Sequence, residues 1–123
     1  MSTLNVSNIT DGTTTVGTSY VVNGSAKAWC NFTTSTSTAL YSPSLGISSL
    51  TDNGTGNTTV TMTNAFDGAN AYNTVGTDDF YGMCNCGETS SRTASVFKVY
   101  NYNNSHALTD VNHVSVSIHG DLA

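Results

Sequence analysis

The sequence predicts an all-β protein, an antiparallel β sandwich or barrel. Three observations point there. Apolar residues alternate with polar ones in 26–33, 94–102 and 111–119, the two-residue period of a half-buried strand. No window repeats its apolar residues at the 3.6-residue helical period. Thr, Ser and Asn supply 51 of the 123 residues, yet six Tyr, four Phe and many Val fall in short runs, and charged residues make up only 9%. Disordered chains pair high charge with few aromatics. Thr, Val and Tyr instead suit a pleated surface. The length suits one domain with a modest core.

Taken in order, residues 3–10 (TLNVSNIT) alternate weakly and 11–19 (DGTTTVGTS) are turn-like. Tyr20–Val22 is a short β run stopped by Asn23-Gly24. Residues 1–24 are therefore expected to form an extended N-terminal arm with leading strands, and 25–123 the sandwich domain. Residues 26–33 are a strong strand. In 34–44 a loop is expected, with an edge strand near Leu40 and Tyr41, because Pro43 cannot donate to a central ladder. Two β-prone runs, 45–51 and 58–64, flank Asp52-Asn53-Gly54-Thr55-Gly56-Asn57, whose Asn and Gly tolerate positive φ; this reads as a hairpin. Further strands are expected at Asp79–Cys86, Ala94–Tyr102 and Val111–His119. In the last, Val114, Val116 and Ile118 oppose His113, Ser115, Ser117 and His119. In 94–102, Phe97 and Val99 oppose Val96, Lys98 and Tyr100.

Charge limits the function. The net charge is −5, and the cations are Lys27, Arg92 and Lys98. Neutralising phosphates takes clustered basic groups, so no nucleic-acid partner is expected. No apolar run reaches the length of a membrane span. The N-terminus lacks a basic region followed by an apolar core, so no signal peptide is expected and synthesis is placed in the cytoplasm. Disulfides are then unexpected, and the seven Asn-x-Ser/Thr sequons carry little meaning.

Candidate chemistry is sparse. Cys84-Asn85-Cys86 would put two thiols on one face of a strand, beside Phe80 and Gly82. Zinc needs four ligands, and only Cys30, His106, His113 or His119 could complete the set. No second CxxC or CxxxH pair exists, and an i, i+2 disulfide needs Cβ atoms closer than a regular strand holds them. Three free thiols, no metal and no cofactor are expected. Asp52–Asn57 lacks the carboxylates and closing Glu of a calcium loop. Asp78-Asp79 is an ordinary acidic pair. There is no G-x-S-x-G elbow and no phosphate-cradling loop, so no catalytic residue is assigned and the protein is expected not to be an enzyme.

Residues 24–34 (GSAKAWCNFTT) hold the one Trp. On a strand, Ala26, Ala28, Cys30 and Phe32 share one face and Lys27, Trp29 and Asn31 the other. The first set is expected in the core. The second is expected at a contact with another subunit, with packing under a loop of the same chain, or a ligand site, as alternatives. Leu4, Val6 and Ile9 of the arm are expected to join Lys27, Trp29 and Asn31 in that interface.

At AKAWCNF (26–32) the sequence resembles a β-rich module of tail-fibre and other virion surface proteins of tailed bacteriophages, especially marine ones. SSLTDNGTGNTTVTM (48–62) and SVFKVYNYNNSHALTDVNHVSVSIHGD (95–121) extend the resemblance over about 26–121. Cys30 stands where an aliphatic residue is usual and Thr59 where an aromatic is common, and 65–93 matches loosely. The resemblance implies a homotrimer on the virion surface, in contact with the major capsid protein or tail proteins. Without a long shaft or coiled coil, a capsid decoration protein or short head fibre is expected. The alternative is a tail-fibre or tail-tip protein that binds a host surface glycan or receptor.

Overall fold

The structure is a computed structural model that describes residues 2–80 and 84–123. The protein is mostly β, with antiparallel pairing throughout. Among the described residues the strands are β1 (Asn8–Thr10), β2 (Thr15–Gly17), β3 (Ala26–Thr33), β4 (Ala39–Leu45), β5 (Ile47–Asp52), β6 (Asn57–Met62), β7 (Tyr72–Asp78), β8 (Cys84–Asn85), β9 (Val96–Asn101) and β10 (Val114–Gly120), and a helix, α1, spans Thr18–Gly24. Two four-stranded sheets have the orders β4-β3-β10-β7 and β5-β6-β9-β8, and β1-β2 forms a separate ribbon.

The two sheets share one core. Ala28, Cys30 and Phe32 of β3, with Val114, Val116 and Ile118 of β10, come from the first sheet; Val60 and Met62 of β6, with Phe97 and Val99 of β9, come from the second. These are the faces that alternation predicts. Each strand therefore lies with its apolar set inward, because a one-residue slip would turn the whole set to water. Phe66 and Tyr72 close one end with rings 4.7 Å apart.

Gly46 turns the chain from the first sheet to the second. Its φ is +65°, and a Cβ there would lie 2.7 Å from the Lys27 carbonyl oxygen. Both the backbone region and the close approach require glycine. The β5-β6 hairpin forms as predicted, with Gly54 and Gly56 at positive φ. β4 is an edge strand, as Pro43 demands, and extends over the whole of 39–45 rather than only around Leu40 and Tyr41.

Two expectations need correction. Tyr20–Val22 is helical, not a β run. Three β-prone residues gain nothing from extension when no strand lies alongside, whereas a helix satisfies its backbone locally. The single strand expected at Asp79–Cys86 is not formed. Asp79 and Phe80 are in a bend, residues 81–83 lie outside the described residues, and β8 holds only Cys84–Asn85. A strand that the sequence did not predict, β7, pairs with β10 on the side away from β3. Its inward positions are Tyr72, Thr74, Gly76 and Asp78, so it has no apolar alternation to read.

Candidate interaction surface

Residues 2–24 carry the β1-β2 ribbon and α1. None of their side chains is buried. Leu4 is 83% exposed and Tyr20 76%, and Val6, Ile9, Val16, Val21 and Val22 are exposed too. The segment is tied to the sandwich by polar contacts at its end. Lys27 Nζ donates to the Val22 carbonyl and to Ser25 Oγ, the latter at 2.5 Å. A cation there also meets the negative end of α1. His119 Nδ1 lies 2.9 Å from the Gly24 carbonyl, which can only accept, so Nδ1 carries the proton. Nε2, 2.9 Å from Ser117 Oγ, then accepts from that hydroxyl.

The outer face of the first sheet lies beside this attachment. Cross-strand register places Leu45, Trp29, Ser117 and Val75 in one row and Tyr41, Asn31, Ser115 and Thr77 in the next. Trp29 and Asn31 are half-buried, and Val75 is 59% exposed. A shallow trough of about 350 Å³ runs along Asn31, Val75, Thr77, Ser115 and Ser117. Tyr41 donates its hydroxyl to the Asn112 carbonyl at 2.7 Å and stacks on His113, which fixes the far margin.

Of the residues expected at an interface, Leu4, Val6 and Ile9 thus lie on the N-terminal segment, and Trp29 and Asn31 on the outer sheet face. Lys27 stands between them, its ammonium engaged within the chain. Sequence reasoning missed Val16, Tyr20, Val21, Val22 and Val75. The signal available for the first four was apolar content in a segment too short for its own core.

A second concavity, about 280 Å³, is lined by Asn70, Asn73, Thr74, Thr89 and Arg92. Arg92 is structural there. Its guanidinium lies 3.8 Å from the centre of the Tyr72 ring, and Nε donates to the Ala69 carbonyl at 2.7 Å. Nη2 donates to the Tyr72 carbonyl. The Tyr72 hydroxyl lies within 3.0 Å of the Thr93 and Val96 carbonyls, which share its one proton. Together they clamp the 87–95 segment against β7.

Among the described residues, no group of three or more His, Cys, Asp and Glu could hold a metal ion, and no helix is long and apolar enough to cross a membrane. Cys30 lies fully buried in the core, and burial pushes its thiol up to about 12. Cys84 and Cys86 sulfurs are 3.8 Å apart. They come this close because Cys86 lies beyond the end of β8, where strand spacing no longer applies.

Comparison of the chain with protein-family models, curated proteins and solved structures returns no match. The resemblance of 26–121 therefore rests on its motifs alone.

Proposed function

We propose that this chain is a non-enzymatic structural subunit of a tailed-phage virion surface, a trimeric capsid decoration protein or short head fibre. One observation carries the assembly role: residues 2–24 hold seven exposed apolar side chains and bury none. That many exposed apolar side chains within one short segment, with none buried, suits a contact surface. In the assembled particle the segment acts as an arm, covered by neighbouring copies or by the shell protein. The phage setting and the trimer come from AKAWCNF and DNGTG in their order along the chain.

A second reading is favoured by the outer sheet face. Trp29 pairs with Ser117 and sits one row from Asn31 and Ser115, which line the trough, so this face combines an apolar plate with amide and hydroxyl groups, the chemistry that holds a sugar ring. On that reading the protein is a tail-fibre or tail-tip protein contacting a host surface glycan.

Electron microscopy of virions with a labelled subunit separates the two. Density over the whole shell is expected for decoration. Density confined to the tail would favour the glycan-binding reading, and absence from the particle would contradict both.

A further inference from the structure

We infer that Cys84 and Cys86 form a dithiol site that a peroxide converts reversibly into an intrachain disulfide. The site is built from both sheets. The two sulfurs, 3.8 Å apart, lie over Gly76 of β7. A Cβ on Gly76 would stand 2.7 Å from Cys86 Sγ and 3.1 Å from Cys84 Sγ. Gly76 is not among the glycines at positive φ, so its backbone does not require glycine; the sulfurs do. In strand interiors, such glycines mark close approach.

Chemical asymmetry divides the roles. Either S–H can donate across the 3.8 Å contact; with the Cys84 S–H turned to its sulfur and the Arg92 guanidinium adding positive charge, Cys86 ionises below the usual thiol range despite its burial. Cys84 is held well above it, first by that same hydrogen bond and then by burial. The thiolate is the nucleophile, which makes Cys86 the attacking sulfur and Cys84 the resolving one. Cys86 is 5% exposed and borders the core, so only a small reagent is considered.

The oxidant is hydrogen peroxide. Cys86 thiolate attacks one peroxide oxygen, the O–O bond breaks, and hydroxide leaves with the electron pair, giving a sulfenic acid. Cys84 sulfur then attacks Cys86 sulfur, the S–O bond breaks, and a second hydroxide leaves. The two thiol protons convert both hydroxides to water, so two thiols and one peroxide yield one disulfide and two waters. Closure brings the sulfurs from 3.8 Å to about 2.0 Å. Among the described residues β8 is two residues long and pairs with β9 alone, so few ladder bonds there resist that movement.

The test is a thiol count on the full folded chain. After brief exposure to a small excess of hydrogen peroxide and removal of the reagent, the protein is unfolded and titrated. The count should fall from three to one and return to three with dithiothreitol. Peptide mapping should place the link between Cys84 and Cys86 in a monomeric chain. In Cys84→Ser the sulfenic acid should persist on Cys86 and be trapped by dimedone; in Cys86→Ser, Cys84 should stay reduced at the same dose. Mapping on the parent chain decides the matter even if a variant misfolds. A count that stays at three, a link through Cys30, a link between chains, or loss that dithiothreitol does not reverse would overturn the inference.

Discussion

Neighbouring residues on β3 answer to different physics. Phe32 has no exposed surface and faces both sheets' core; Trp29, three positions earlier, faces outward and is half-buried. Phe32→Ala should cost roughly 3–5 kcal/mol, as truncation of core aromatics does. Urea unfolding of the two variants checks this. Trp29→Ala should melt near the parent and instead weaken assembly. Both faces were legible, because alternation reads directly as orientation. Cys30 sits in the same core face, and its thiol ionises only near 12. An unfolded thiol loses its proton from about 9 upward, so between those values the unfolded chain binds fewer protons and stability falls. Stability from this group is complete below about 9 and is lost as pH rises toward 12. Alkaline denaturation curves of the parent and Cys30→Val should diverge in that window, with the variant less sensitive. Equal sensitivity would mean the alkaline loss has another source.

Turns and edges show how tertiary contacts override local signals. The Asp52–Asn57 loop looks, from its residues, like a tight polar turn standing clear of the fold. Asp52 Oδ1 does accept from Gly54 N–H at 2.8 Å, a local turn bond. Gly56, however, is buried: its N–H donates to Asp110 Oδ1 at 2.8 Å and its carbonyl accepts from Asn101 N–H at 2.9 Å. A Cβ there would meet Thr109 N at 2.6 Å, at a φ of +61°. Gly56→Ala should therefore cost about 1–3 kcal/mol from backbone strain alone, with the clash added. Gly54→Ala, with open space around it, should cost less. Thermal melts of the two variants rank them; equal losses would mean that the contact with the 101–110 loop contributes nothing. β7 was not legible for a related reason. Its inward Thr74, Gly76 and Asp78 serve Cys86, the sulfur pair and Asn101, and specific contacts of that kind leave no periodic trace. α1 escaped because propensity favours β for Tyr20–Val22, while the fold offers them no partner strand.

For the molecule as a whole, the sandwich and its single core follow from patterning in β3, β6, β9 and β10. The role proposed for residues 2–24 does not, because a contact with another chain depends on residues that this sequence does not hold. On the proposed reading, the segment's exposed apolar side chains and its polar attachment through Lys27 and His119 mark it as an arm that assembly would cover. The central claim is thus about association. Sedimentation equilibrium of the full chain, beside Ile9→Asp and Val22→Asp, tests it most directly. The parent should sediment as a trimer, and each variant, with a charge in the covered surface, should shift toward monomer while keeping the parent's β-sheet circular dichroism. A parent that stays monomeric at every concentration, or variants that remain trimeric, would contradict the account.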